Sequence, residues 1–326
     1  MKIKKIMLLL LAFPMIIILS GCDMGSKIEI GILQFLEHPA LSEARKGFID
    51  GLAEAGYVDG ENIKVRVLNP ETDAVVMSTN SKQLVRRSDL ILAIATPAAI
   101  SVVNEAKDQK KDTPILFTAV TDPVDAKLIV SLEQPGANVT GTNDMNPIKE
   151  QIELIKRMMP DSKKLGILYT SSETNSSVQA KIAEDEAKKY GLEVIIKTIA
   201  TVTDLQLVAN QLTNEVDVLY IPTDNVISAS MNSLSEILIN KKVPAVVGEA
   251  NMVHNGGSIT YGIDYYKLGK ETANMAIKIL RDNVKPKDIP CVSISEYSLI
   301  INKKQFDQMG IILPEDLLAS ADEILR

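Results

Sequence analysis

From Ile28 onward, short apolar runs alternate with amphipathic stretches along nearly the whole chain. Strands show as continuous runs such as Leu90-Ile91-Leu92-Ala93-Ile94-Ala95, and helices as apolar residues recurring at helical spacing. The pattern predicts strand 28–35, helix 41–55 closed by Gly56, strand 63–68, helix 74–86 and strand 90–95. Helix 97–108 and strands 115–119 and 139–142 follow. After Pro147 the rhythm restarts with helix 148–159, strand 165–169, helix 176–190, strand 192–198, helix 204–214 and strand 216–221. Helix 226–240, strands 243–248 and 258–262, and helix 265–282 complete the second block. Strands separated by helices at this spacing imply right-handed βαβ units and parallel sheets covered on both faces.

Two such blocks predict an α/β protein of two doubly wound parallel-sheet lobes joined by a hinge. No sequence repeat relates them. Crossings between lobes are expected near 144–147, 262–264 and 283–290. This divides the chain into a first lobe of 28–145 plus about 264–284 and a second of 146–263 plus about 285–326, whose segment 298–326 wraps back on the lobes.

In open α/β sheets, ligands bind in the crevice beyond the carboxyl ends of the strands. Those ends here carry Gln34-Phe35-Leu36-Glu37-His38-Pro39, Thr96-Pro97-Ala98-Ala99, Thr118-Ala119-Val120-Thr121-Asp122-Pro123 and Thr142-Asn143-Asp144. The second block supplies Tyr169-Thr170-Ser171-Ser172-Glu173, Pro222-Thr223-Asp224-Asn225, Gly248-Glu249 and Gly262-Ile263-Asp264-Tyr265-Tyr266. Helix capping and turn formation favour the same residue types, so each segment alone has two readings. The clustering across both blocks is the stronger signal. Thr96 suits an N-cap and Pro97 a first helical residue, and the N–H groups of Ala98 and Ala99 would then point from a positive helix end, which suits a carboxylate. A ligand ammonium would need a carboxylate such as Asp144, Asp224 or Asp264.

The first residues carry a different signal. Lys2, Lys4 and Lys5 precede an uncharged apolar run, 6–19, too short to span a bilayer, and Leu19-Ser20-Gly21-Cys22 ends it. The stretch resembles the lipobox of bacterial lipoproteins. That resemblance implies a signal peptide over 1–21, acylation of Cys22, a tether over 22–27 and an extracytoplasmic protein anchored to the membrane by lipid. An ordinary cleaved leader with a chance cysteine is the alternative. Without 1–21 the chain keeps 305 residues, enough for two cores, with 32 basic against 42 acidic side chains. That acidic balance argues against nucleic acid as a partner. Cys291 is the only other cysteine, so no disulfide framework exists, and it reads as a small buried hydrophobe on a strand.

The lipobox, Ala95-Thr96-Pro97-Ala98-Ala99, Thr118-Ala119-Val120-Thr121-Asp122-Pro123-Val124, Asn138-Val139-Thr140-Gly141, Pro222-Thr223-Asp224-Asn225 and Tyr261-Gly262-Ile263-Asp264-Tyr265 together resemble one family. It is the TrpX-like family of ABC-transporter substrate-binding proteins, whose fold resembles type I periplasmic binding proteins. The resemblance runs from Ile28 to the end of the chain. It implies a monomeric flytrap that closes on a small ligand, an amino acid and by family association an aromatic one such as tryptophan, and delivers it to an ABC permease. Carried onto this chain, the motifs place Thr96, Thr118, Asp122, Asp144, Thr223, Asp224, Asn225 and Asp264 in the cleft.

The aromatic inventory bears on the ligand: there is no Trp, and Phe with Tyr make up 4%. Sugar sites commonly stack rings on aromatic platforms, so a sugar or nucleoside is the lesser alternative. Phe35, Phe117, Tyr169, Tyr220, Tyr261, Tyr265 and Tyr266 lie at or near strand ends, where one or two could pack a planar side chain. No dinucleotide, Walker or nucleophile-elbow motif is present. The two histidines, His38 and His254, belong to no metal cluster. The sequence therefore predicts binding without catalysis, cofactor or metal. A lipoprotein that senses its ligand for a signalling partner shares every one of these features.

Overall fold

The computed structural model describes residues 27–326. The first lobe opens with β1 (Ile28–Gln34), α1 (Pro39–Glu54), β2 (Ile63–Leu68), α2 (Ala74–Arg87), β3 (Leu90–Ile94), α3 (Thr96–Asp108), β4 (Ile115–Val120) and β5 (Val139–Asn143). The chain then crosses to the second lobe for α4 (Ile148–Met158), β6 (Lys164–Thr170), α5 (Thr174–Lys189), β7 (Glu193–Ile199), α6 (Leu205–Leu212) and β8 (Val218–Ile221). In the same lobe follow α7 (Asn225–Ala229), α8 (Met231–Lys241), β9 (Ala245–Val247), α9 (Ala250–His254) and β10 (Ile259–Gly262). It returns to the first lobe for α10 (Tyr265–Asp282) and β11 (Val292–Ser293). It ends in the second with β12 (Ser298–Asn302), α11 (Lys303–Met309), α12 (Glu315–Ala319) and β13 (Glu323–Leu325).

The first sheet has the order β11-β5-β4-β3-β1-β2 and is parallel throughout. The second has the order β13-β12-β10-β9-β8-β6-β7, with β12 antiparallel to β10 and its other pairs parallel. Strand order reverses between β1 and β3 in the first lobe and between β6 and β8 in the second. A crevice opens at such a switch point. Central strands are buried on both faces: every residue of β3, β4 and β8 is buried.

Each sheet has its own core. In the first, Leu33, Phe48, Leu92, Val102 and Phe117 pack together, and in the second Ile167, Tyr220, Val246 and Phe306 do so. Helices α1 and α10 meet closely because glycine leaves room for the opposing backbone. A Cβ on Gly47 would lie 2.0 Å from the Tyr266 carbonyl oxygen, and one on Gly269 would lie 2.0 Å from that of Ala44.

Four expectations change. The helix expected over 226–240 is two helices, α7 and α8, broken at Ser230, whose φ of −114° and ψ of 12° leave the helical range. The short helix α9 was not expected, since five residues carry too little periodicity to read. The third crossing lies later than 283–290: Val292 and Ser293 pair with Thr142 and Asn143 of β5, and Ile289 and Cys291 sit in the first core. Residues 285–293 thus belong to the first lobe, not the second, and the chain crosses at 294–297. Cys291 is buried beside β11 rather than on a strand, and burial pushes its thiol up to about 12. Cys22, with the leader and nearly all of the tether, lies outside the described residues.

Candidate functional site

The lobes face each other across the carboxyl ends of their strands, and the interface holds many buried polar side chains. Gln34, His38, Thr96, Thr121 and Asp144 come from the first lobe and its first crossing. Asn146, Thr170, Glu173, Asn175, Ser176, Gln179, Asp224, Asn225 and Glu249 come from the crossing and the second lobe. Among the described residues, two hydrogen bonds join the lobes directly. His38 Nε2 lies 3.2 Å from Asn225 Oδ1, and Gln179 Nε2 donates to Thr121 Oγ1 at 3.4 Å. With these contacts made, the lobes are closed on each other.

Most of the second-lobe residues organise the β8–α7 turn. Asp224 Oδ1 accepts from the Thr170 hydroxyl at 2.8 Å and the Ile227 N–H at 3.0 Å, while Oδ2 accepts from the Thr170 N–H at 2.6 Å and the Ser176 hydroxyl at 2.9 Å. Its acceptor sites are filled by protein. Glu173 accepts from the backbone N–H groups of Asn225 and Val226 and from the side-chain amides of Asn175 and Asn225. Burial raises both carboxyls above the usual range, and Asp224 beside it pushes Glu173 further the same way. Thr223 Oγ1 accepts from Asn146 Nδ2 at 3.2 Å, and its N–H donates to Gln179 Oε1 at 3.3 Å.

Asp144 is different. Its Oδ1 accepts from the Thr121 hydroxyl at 3.2 Å and its Oδ2 from the Tyr265 hydroxyl at 2.7 Å, so each oxygen keeps acceptor capacity. It is 3% exposed, and burial raises its carboxyl. Glu249, the N-cap of α9, accepts from the Ser228 hydroxyl at 2.8 Å and the Asn251 N–H at 2.6 Å, and burial brings it up to about 7.

Seven buried side-chain polar atoms have no partner within the protein among the described residues, and five of them belong to this interface: Gln34 Oε1, His38 Nδ1, Thr96 Oγ1, Asn146 Oδ1 and Asn175 Oδ1. Backbone carbonyls fix the orientation of all three amides. Gln34 Nε2 donates to Leu36, Asn146 Nδ2 to Asp144 and Asn175 Nδ2 to Thr223, which leaves each amide oxygen as the free end. The unmet demand of the interface is therefore for hydrogen-bond donors. Buried acceptors left unpaired cost about 1–3 kcal/mol each, so a donor-rich ligand would gain by meeting them.

The expected site residues divide. Thr96, Asp144, Thr223 and Asn225 meet at the interface. Asp224 is there too, but as the anchor of the turn. Thr118 belongs to a buried hydroxyl chain: Thr142 Oγ1 donates to Thr118 Oγ1 at 3.0 Å and contacts Thr272 Oγ1 at 2.8 Å. Asp122 caps its own turn, accepting from the N–H groups of Val124 and Asp125. Asp264 is exposed and caps α10 through the Lys267 N–H. Ala98 and Ala99 are buried in the first core. The Ala99 N–H does not point free, because Ala95, at φ 81° and ψ 153°, turns its carbonyl to accept it at 3.0 Å.

Of the seven aromatics that the sequence places at or near strand ends, Tyr265 and Phe35 reach the polar interface, and Tyr266 lines a separate cavity with Ala250 and Asn251 of the second lobe. Phe35, Leu36, Thr72, Val202, Val226 and Ala229 line a cavity of about 420 Å³ at its mouth, next in the chain to Gln34 and Asn225. Tyr220 is buried in the second core with its hydroxyl on Gln151. Gln179, Asn146 and Asn175 escaped the sequence reading because polar residues on or beside helices read as solvent-facing.

The family model of the ABC transporter substrate binding proteins matches residues 29–325. A tyrosine-binding protein of Clostridioides difficile (strain R20291) is 40% identical over 319 residues, 93% of this chain and 91% of the relative. Among solved structures, the ABC domain in complex with L-Trp from Streptococcus pneumonia superimposes with a TM-score of 0.87 at 37% identity, covering 92% of this chain and 100% of the other. The ligand-free, open structure of a substrate binding protein with adhesive properties from Clostridium difficile gives 0.68 at 36% identity, covering 91% and 99%. At nearly equal identity the chain follows the ligand-bound structure more closely than the open one, in keeping with its interlobe hydrogen bonds. Two parallel-sheet lobes of the type I periplasmic-binding-protein arrangement, closed over a polar interface, and a match along almost the entire chain give the same answer: this protein belongs to the ABC transporter substrate-binding protein family.

Proposed function

We propose that the protein binds an amino acid, with an aromatic side chain as the best fit, between its lobes and hands it to the permease of an ABC importer. The observation that carries the ligand class is the donor demand of the interface. Asp144, buried and half-satisfied, suits an ammonium, and the free acceptors Gln34 Oε1, Asn146 Oδ1 and Asn175 Oδ1 surround the same crevice. The relatives named for tyrosine and crystallised with L-Trp support an aromatic amino acid.

The mechanism is binding without bond making. Ligand enters between open lobes, contacts one of them, and is enclosed as the other rotates about the crossings at 144–147, 263–264 and 294–297. Closure is favoured only to the extent that the ligand binds the closed form more tightly. The leader and Cys22 support an extracytoplasmic protein held to the membrane by lipid. More than one acyl chain would make that anchor lasting.

A thermal-shift screen of residues 23–326 against the twenty amino acids, nucleosides and common sugars tests the ligand class. A ligand at one hundred times its Kd adds about 2.7 kcal/mol of stability. A shift with aromatic amino acids is expected. A shift with a sugar or nucleoside alone would keep the flytrap and overturn the ligand.

A further inference from the structure

We propose that His38 reads the side chain of the bound amino acid: its Nδ1 accepts a hydrogen bond from a side-chain donor, and its tautomer is set for this by the opposite lobe. The proposal rests on the amino-acid reading above and narrows it to side chains that carry an N–H or O–H.

The argument runs through three residues. Glu173 Oε2 accepts the backbone N–H of Asn225 at 3.1 Å, so this oxygen is an acceptor. The Asn225 side-chain atom next to the same oxygen must then be its amide nitrogen, and that is the Nδ2 contact observed. Asn225 Oδ1 is thereby turned toward His38 and needs a donor. His38 Nε2 must carry the proton. With the ring 6% exposed, burial holds its pKa down at about 4, and the imidazole is neutral. A neutral ring protonated on Nε2 has a bare lone pair on Nδ1. That atom is buried and has no hydrogen-bond partner among the described residues.

A buried acceptor of fixed orientation discriminates strongly against a ligand with no donor to offer, because the acceptor is then left unpaired. Indole and phenol side chains offer a donor, and a phenyl ring does not. Phe35 and Leu36, just before His38 in the chain, and Val226, just after Asn225, line one cavity and supply apolar surface for a ring. In the open form Asn225 no longer dictates the tautomer, so reading and closure are one event.

Two substitutions separate the roles of the two ring nitrogens. His38→Gln places an amide near Nε2 and keeps the bond to Asn225 without an acceptor at the Nδ1 position. His38→Asn places its amide near Nδ1 and gives up the interlobe bond. Calorimetric titrations with tryptophan, 1-methyltryptophan, tyrosine and phenylalanine read the result, with the ligand-free melting midpoint showing that each variant is folded. The wild type is expected to prefer tryptophan over its methylated form, and tyrosine over phenylalanine, by about ten-fold or more. His38→Gln should shrink both preferences to within about three-fold, and His38→Asn should keep them while weakening all four ligands. In the complex, nitrogen-15 spectra should show the neutral Nε2–H tautomer. Full preference retained in His38→Gln, no preference in the wild type, or the other tautomer would overturn the proposal. Binding of none of the four by the wild type would instead remove the amino-acid reading on which it stands.

Discussion

Tyr265 donates its hydroxyl hydrogen to Asp144 Oδ2 at 2.7 Å, and so ties the second crossing between the lobes to the first. Asp144 follows β5 directly and Tyr265 opens α10, so one buried bond holds the base of both connecting segments. Thr121 on Asp144 Oδ1, and Gln179 on Thr121, extend the chain of contacts into the second lobe.

Removing that phenol should weaken binding without touching the ligand. In Tyr265→Phe, Asp144 loses a hydrogen bond that favours its charged form, so burial raises its carboxyl further. Affinity for an ammonium ligand should fall about ten-fold at pH 7, given about 1–3 kcal/mol for a buried group left short of a partner. An acid with a raised pKa loses its charge as pH falls, so the deficit should widen from pH 8 to pH 5. Asp144→Asn should bind weakly at every pH, with little dependence on it. Calorimetric titration across that range checks both, and a Tyr265→Phe deficit that narrows toward acid would refute the account.

Three residues that the sequence placed among the ligand contacts should affect stability alone. Asp264→Ala removes the N-cap of α10 and should cost about 1 kcal/mol of unfolding free energy. Thr118→Val takes an acceptor from the Thr142 hydroxyl and should cost about as much. Asp122→Ala loosens a turn that bonds only to its own N–H groups. Denaturant titration should register the first two, and ligand affinity should stay within about two-fold of wild type in all three. A hundred-fold loss of affinity in any one would return that residue to the site.

That division marks how far the sequence could be read. Alternating runs revealed the ten strands β1–β10 and, with α7 and α8 read as one, every helix up to α10 except α9, since each buried strand must be apolar along its length and each helix on one side. The failures were short elements: beyond α10 no strand or helix was read, and β12, α11, α12 and β13 are five, seven, five and three residues long, too short for a period to show. Ser230 breaks a helix that composition alone would continue, and β11 is two residues long. At the strand ends, residue type could not separate Asp144 from Asp264, because both have the chemistry of a cap and of a ligand contact. Burial and the count of filled acceptor sites separate them, and those exist only in three dimensions. The same holds for Gln179, whose helix carries it across the interface to Thr121.

Close approach of α1 to α10 makes the first lobe intolerant of one methyl group. In Gly269→Ala the new Cβ would meet the Ala44 carbonyl oxygen at 2.0 Å, a backbone atom that cannot rotate away. The helices must separate, and overpacking of this kind costs about 1–3 kcal/mol or more. Gly47→Ala meets the Tyr266 carbonyl in the same way. Because one separation relieves both clashes, the double variant should lose less than the sum of the singles. Denaturant midpoints of the three variants measure this, and strict additivity would show that the clashes relax independently.

Glu249 should make the protein less stable as the medium turns alkaline. Burial brings its carboxyl up to about 7, against an ordinary value of 4.5. A folded-state pKa above the unfolded one gives a contribution that is complete below the unfolded value and lost as pH rises through the folded value. For Glu249 the loss falls between about pH 4.5 and pH 7 and amounts to up to about 3 kcal/mol. His38 runs the other way: its pKa is lowered by burial to about 4, so its contribution is complete above 6.5 and lost as pH falls through 4. The opposing slopes overlap between pH 4.5 and 6.5 and hide each other in the wild type. Glu249→Gln keeps acceptors for Ser228 and Asn251 but has nothing to ionise. Its unfolding free energy relative to wild type should therefore rise from pH 5 to pH 8, because the raised carboxyls of Glu173, Asp224 and Asp144 and the lowered imidazole of His38 contribute equally to both proteins and cancel in the difference. A difference between variant and wild type that stays flat across that range would mean that the Glu249 carboxyl keeps its ordinary pKa despite its burial.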